Sequence, residues 1–150
     1  MCYLTLPSLY QAMKAAHFRF AKINRKYNMK LHLTQADGQN LITGYSAQWI
    51  SVNHQRIEHS LIVMPDALIA DWKIKNFDEL NEADFQKIAD LKPEMVLLGT
   101  GQQHRFIHPR LIKSLTDAHI AVECMTTDAA CRTYNILMAE GRKVAAALII

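Results

Sequence analysis

Two short stretches carry the residue types that could hold a small anion or a reacting group. In the first, the apolar run Met95-Val96-Leu97-Leu98 stops abruptly at Gly99-Thr100-Gly101-Gln102-Gln103. Small residues at such a stop let backbone amides approach an anion or a second chain closely. The turn is not a P-loop, because no Gly-Lys-Ser/Thr ending follows. It is not a dinucleotide fingerprint either, because the third glycine and its immediate helix are missing. The second stretch is Met125-Thr126-Thr127-Asp128, which opens a helix carrying Cys131, Arg132 and Asn135. Thr126 or Thr127 is expected to cap that helix, whose first turn favours negative charge. Asp128 already supplies one there. Asp128, Arg132 and Asn135 are spaced along one helical face. They form either a polar wall opposite the glycine loop or, more plainly, an i,i+4 ion pair beside a solvated Asn135.

No catalytic constellation is evident. Cys124 lies in an apolar strand and is expected to be inert. Cys131 needs a histidine base and a lowered pKa to act as a nucleophile, and nothing in the spacing brings His104, His108 or His119 to it. His54 and His59 lack a third convergent ligand, while Pro109 argues against a helical His104–His108 metal pair. Metal ligands, cofactor-binding residues and catalytic residues are therefore all assigned as none. The candidate pocket comprises Gly99, Thr100, Gly101, Gln102, Thr127, Asp128, Arg132 and Asn135.

The elements that must position these residues fall into two halves. From Leu31 to Trp72 the pattern is β, with strands at Leu31–Leu33, Leu41–Tyr45, Trp49–Val52 and Ile57–Met64. Ala36–Asn40 and Asn53–Gln55 are the expected turns, and Ala67–Lys75 is a candidate further strand in which Trp72 and Ile74 alternate. Trp49 and Trp72 are expected to anchor the core or an interface. Residues 81–92 switch to helical spacing, with Asn81 as N-cap and Asp84 completing a capping box. Strand Met95–Leu98, helix 109–118, strand Ile120–Met125, helix Thr126–Glu140 with Gly141 as C-cap, and strand Val144–Ile150 complete the chain. That order, β-α-β-α-β with short links, predicts parallel strands with helical crossovers. Unbroken apolar runs predict strands covered on both faces.

The chain has 150 residues, half of them hydrophobic and 21% charged, as in an ordinary globular domain. No apolar run approaches the roughly 18–20 residues that cross a bilayer. Three cysteines, Cys2, Cys124 and Cys131, suit a reducing compartment better than a disulfide framework. The net charge of +3 is unevenly placed: six basic and no acidic residues fall within residues 1–36, against 11 basic and 14 acidic in the remainder. A nucleic-acid footprint on the body of the protein is therefore not expected. Residues 1–28 read as a basic amphipathic extension with Leu6, Leu9, Met13, Ala16, Phe20 and Ile23 on one face. It is a docking or targeting segment, or a product of start-site choice with translation beginning at Met29. The remaining domain spans 29–150.

An ordered set of residues in the C-terminal half resembles one family. The set is Leu97-Leu98-Gly99-Thr100-Gly101, Phe106 and Pro109, Val122 through Thr127, Ala130, Arg132-Thr133-Tyr134-Asn135 and Glu140-Gly141-Arg142. It resembles the Mth938-like family (DUF498), which includes the complex I assembly factor 3 proteins and adipogenesis-associated Mth938 domain proteins. The resemblance covers about residues 29–150. It implies an α/β fold with α+β character, in three layers, with an N-terminal antiparallel β-meander and a mixed central sheet. It places a shared pocket at Gly99, Thr100, Gly101, Thr127, Arg132 and Asn135, and supplies no catalytic residue.

The expected function is accordingly a non-enzymatic assembly or protein-interaction factor, in biogenesis of respiratory complex I. Its expected partners are respiratory-complex subunits or assembly factors. Its expected place is the cytoplasm, or the mitochondrial matrix in a eukaryote. The alternative is a small-anion-binding protein or enzyme using the Gly99–Gly101 loop and the helix start at Thr127.

Overall fold

A computed structural model describes residues 38–150, within the larger of two compact units, Leu33–Ile150. The expected leader helix and the Leu31–Leu33 strand lie outside the described residues.

The first three strands, β1 (Ile42–Tyr45), β2 (Ile50–Val52) and β3 (Gln55–Ile57), form a small antiparallel meander in that order. Asn53 and His54 both take positive φ (49° and 68°) in the turn between β2 and β3. This is the backbone that a tight two-residue hairpin requires. The expected strand Ile57–Met64 is in fact two. The chain breaks at Glu58-His59-Ser60, then enters a second sheet as β4 (Leu61–Met64), whose four residues are all buried. The reason is positional: the exposed Glu58 and His59 lead to Ser60, which is 3% exposed and whose carbonyl accepts from the Trp72 amide at 2.9 Å. The next strand, β5, is only Ala67–Ile69. Trp72 and Ile74 do alternate inward, at 5% and 7% exposure, but from irregular backbone with no partner strand.

The second half adds α1 (Glu82–Asp90), β6 (Met95–Gly99), α2 (Lys113–Asp117), β7 (Ala121–Met125), α3 (Thr127–Ala139) and β8 (Val144–Leu148). Helix α1 starts as expected, with Asn81 accepting from the Ala83 and Asp84 amides and Asp84 returning a bond to the Asn81 amide. Helix α2 is shorter than the expected 109–118, because the chain from His108 to Ile112 closes i→i+3 turns (Leu111 to His108, Lys113 to Arg110) before it becomes α-helical. Gly141, at φ +80°, ends α3 with its amide on Met138 and the Arg142 amide on Leu137, a Schellman pattern.

The main sheet runs β5-β4-β8-β6-β7. Strands β8, β6 and β7 are parallel, while β4 is antiparallel to both β5 and β8. It is the mixed central sheet expected, with one correction. β7 is an edge strand whose residues are exposed or half-buried, so its apolar run is not covered on both faces.

Alternation along the strands divides the core in two. Leu61, Val63, Leu97, Val144, Ala146 and Leu148 point toward α3 and the small sheet, where Ile50, Val52, Cys131 and Tyr134 meet them. Ile62, Met64, Val96, Leu98, Ala145 and Ala147 point the opposite way, onto Phe85, Ile88, Leu115, Trp72 and Leu80. The result is three layers, with the five-stranded sheet in the middle.

Candidate functional site

The register sets the site. Gly99 is level with Met125 of β7 and with Leu148 of β8, so three parallel strands end together on one edge. Their continuations, Thr100-Gly101, Thr126-Thr127 and Ile149-Ile150, therefore converge, as carboxyl ends of parallel strands do in open α/β sheets.

The buried Thr127 hydroxyl ties them. It donates to the Ile149 carbonyl at 2.7 Å and accepts from the Gly101 amide at 2.9 Å, while the Thr127 amide donates to the Gly101 carbonyl at 2.9 Å. The Thr100 amide donates to the Met125 carbonyl at 2.8 Å. The Thr100 hydroxyl donates to the Gln103 carbonyl at 2.6 Å and accepts from the Arg105 amide at 3.2 Å. Two of the amides that a phosphate cradle would present are thus already engaged. Gly99 is needed for close approach rather than for a ligand. A Cβ there would lie 3.0 Å from the Thr127 Cα and 3.0 Å from Leu148 Cδ2. Gly101 faces open space but turns at φ +89°, which only glycine adopts without strain.

A groove of about 420 Å³ lies beside this knot, lined by Tyr45, Ser46, Ala47, Gly101, Gln102, Thr127, Asp128, Ile149 and Ile150. Four of the eight expected residues line it: Gly101, Gln102, Thr127 and Asp128. Arg132 reaches its edge, donating to the Tyr45 hydroxyl and to Asp128 Oδ2, each at 3.0 Å. Gly99 and Thr100 sit behind it in the knot.

Asn135 does something else. Its Oδ1 accepts from the Ile42 amide at 3.0 Å and its Nδ2 donates to the Ile42 carbonyl at 2.7 Å. The side chain thereby stands in for a neighbouring strand along β1. It is neither solvated nor part of a pocket wall, contrary to both readings of its spacing. The neighbouring Tyr134 hydroxyl donates to the Asn40 carbonyl at 2.7 Å, so α3 grips the start of β1 twice.

The helix start also differs in detail from expectation. Thr126 occupies the N-cap position, yet no side chain caps the helix there. Its hydroxyl instead donates to Asp128 Oδ1 at 2.5 Å. That bond, and then the one from Arg132, holds the Asp128 carboxyl below the usual range, while its bonds to Tyr45 and Asp128 raise Arg132. Both partners of the Asp128–Arg132 pair are more than half exposed. Such exposed i,i+4 pairs add little to stability, because water screens them.

Of the two cysteines expected to be buried, Cys131 is, whereas Cys124 is only half-buried on the edge strand. Cys131 is fully buried and its thiol is pushed up to about 12, chiefly by burial. Burial also raises Cys124. His104, His108 and His119 are all exposed, so none sits against the sealed Cys131. Among the described residues no three His, Cys, Asp or Glu side chains are grouped to hold a metal. Among the same residues no helix is long and apolar enough to cross a membrane.

Sequence reasoning missed the wall made by Tyr45, Ser46 and Ala47. Its only signal is a tyrosine where strand β1 gives way to Ser46-Ala47-Gln48; that this turn folds over the far strand ends is a non-local fact.

Comparison with known proteins agrees with the fold. The family described as "Protein of unknown function (DUF498/DUF598)" matches residues 42–149. The bovine (Bos taurus) protein named NADH dehydrogenase [ubiquinone] 1 alpha subcomplex assembly factor 3 is 32% identical over 110 residues, covering 72% of this chain and 59% of that protein. The chain thus spans about three-fifths of the length of that relative. A crystal structure of a Bordetella parapertussis protein is similar with a TM-score of 0.71 and 37% identity, covering 76% of this chain and 98% of that one. The solution structure of a Mth938-like domain protein from Bordetella pertussis is similar with a TM-score of 0.70 and 32% identity, covering 81% and 92%.

Proposed function

The chain belongs to the DUF498/DUF598, Mth938-like family, and from that membership we propose that it is a non-enzymatic assembly factor that works through protein contacts. We assign its finer role to biogenesis of the respiratory NADH–ubiquinone oxidoreductase, in the bacterial cytoplasm or the mitochondrial matrix. The observation that carries this is the relative named as an assembly factor of that complex, 32% identical over 110 residues that cover 72% of this chain. The site supports it from a second side. The Gly101 amide and the Thr127 hydroxyl are joined to each other and to Ile149, so the groups best suited to an anion are holding the strand ends together. The domain is taken to span residues 29–150, with 1–28 as an extension.

The test is a gentle affinity capture of the full-length tagged chain from its native cells, with quantitative identification of what is retained. Enrichment of subunits or assembly partners of the oxidoreductase over a tag-only control is the expected result. Repeated capture without any of them overturns the assignment to that complex.

A further inference from the structure

We propose that the loop from Gln102 to Arg110 is a protein-docking knob, with Phe106 as its apolar tip, for a partner that offers an apolar pocket rimmed by carboxylates. The proposal deepens the assembly-factor reading and rests on it for the expectation that a protein partner exists.

Phe106 is 83% exposed, the most open large hydrophobic residue among those described. Its loop is nevertheless firmly built. The Thr100 hydroxyl fixes the Gln103 carbonyl and the Arg105 amide. Arg105 forks onto Asp78 through both terminal nitrogens, at 3.1 and 2.6 Å, and its guanidinium stacks 4.3 Å from the Phe77 ring centre. Beyond the tip, the Arg110 amide donates to His108 Nδ1 at 3.2 Å. The His104 ring packs edge-on against Phe106 with centres 4.6 Å apart. An exposed aromatic held this way has little conformational freedom left to lose on docking. Aromatic residues and arginine are also the side chains that most often anchor protein interfaces.

Charge identifies the partner's rim. No acidic residue occurs from Gly99 to Thr116. Arg105 is paired with Asp78 and Lys113 with Asp117, but Arg110 is exposed and makes no ion pair among the described residues. A carboxylate beside the Phe106 pocket would complete it. A membrane surface fits less well, because stable anchoring needs two independent signals and a lone aromatic with one unpaired arginine falls short. A second copy would set this acid-free loop against itself.

The test replaces Phe106 in the full chain by the photo-crosslinker p-benzoylphenylalanine, at native expression level in the source cells, and maps the adduct residue by mass spectrometry. The same label at Ile136, which is 60% exposed on α3, is the control. The expected adduct joins position 106 to an apolar pocket of a different protein with Asp or Glu at its rim, and falls at least tenfold when Arg110→Glu is added. A lipid adduct, a self-adduct, no adduct above the Ile136 control, or one indifferent to Arg110→Glu overturns the proposal. Phe106→Ala should leave the unfolding transition in place, which separates docking from folding. Capture of oxidoreductase subunits with no adduct at 106 removes the knob and leaves the assembly reading. A charge-dependent adduct to a protein unconnected with that complex does the reverse.

Discussion

Replacing Thr127 by valine keeps the shape of the side chain and deletes one oxygen, which isolates the knot at the strand ends. That oxygen serves the Ile149 carbonyl at 2.7 Å and the Gly101 amide at 2.9 Å. Ile149 is 3% exposed, so its carbonyl has no water to turn to. An orphaned buried acceptor costs about 1–3 kcal/mol. Gly101 lies at the groove and is half-buried, so its amide recovers part of its loss from solvent, leaving about 1 kcal/mol. The expected destabilisation is therefore about 2–4 kcal/mol. For a domain of this size that is a fall of about 8–16 °C in the unfolding midpoint. Thr127→Ser retains the hydroxyl and should lose about 1 kcal/mol or less from the missing methyl. Guanidinium unfolding gives the free energies, and hydrogen exchange at the Gly101 amide should accelerate in the valine variant alone. If Thr127→Val lies within about 0.5 kcal/mol of the native protein, the hydroxyl does not hold the loop, and the glycine amides regain their candidacy as an anion site.

Three further outcomes follow from the same geometry. Gly99→Ala pushes a methyl to 3.0 Å from the Thr127 backbone and should cost about 2 kcal/mol or more, whereas Gly101→Ala pays only for its φ of +89°, about 1–2 kcal/mol; denaturant midpoints with the opposite ranking contradict the packing described. Asn135→Asp turns the donor facing the Ile42 carbonyl into an acceptor and should destabilise more than Asn135→Ala, with exchange accelerated at the Ile42 amide; equal and negligible effects would show that the clamp carries no weight. For Cys131 the folded thiol is raised from the ordinary 9.0 to about 12, so the unfolded chain releases its proton first. Its contribution to stability is complete below pH 9 and declines from there toward pH 12, and Cys131→Ala should flatten that part of the pH profile.

Much of the C-terminal half was legible because its signals are local. Asn81 with Asp84, Pro93 and Gly141 mark helix ends within a few residues of where the chain turns, and the apolar runs of β6 and β8 do pair in parallel. What was not legible depends on distant partners. The break in Ile57–Met64 falls at the polar Glu58-His59-Ser60, but the passage of the two pieces into different sheets depends on partners far along the chain, among them the Trp72 amide that holds the Ser60 carbonyl. β7 stands at the edge of the sheet, with its run broken by the exposed Glu123, and the strand order shows that position.

Four of the eight candidate positions line the groove because helix and strand ends in this arrangement must converge. Asn135 was misassigned because helical spacing says which face it shares, whereas its function is set by Ile42, 93 residues away. Gly101 was read as an open amide because its acceptor, Thr127, is 26 residues further on.

We propose that this domain serves assembly of the oxidoreductase by contact rather than by chemistry in its groove. Removing the chain from its source cells and following the oxidoreductase on native gels tests it most directly, with rescue by the native chain and by an Asp128→Asn, Gln102→Ala groove variant. Loss of the mature complex, accumulation of a smaller intermediate, and equal rescue by both are expected. Full levels of mature complex without the chain, or rescue by the native chain that the groove variant cannot match, would contradict it.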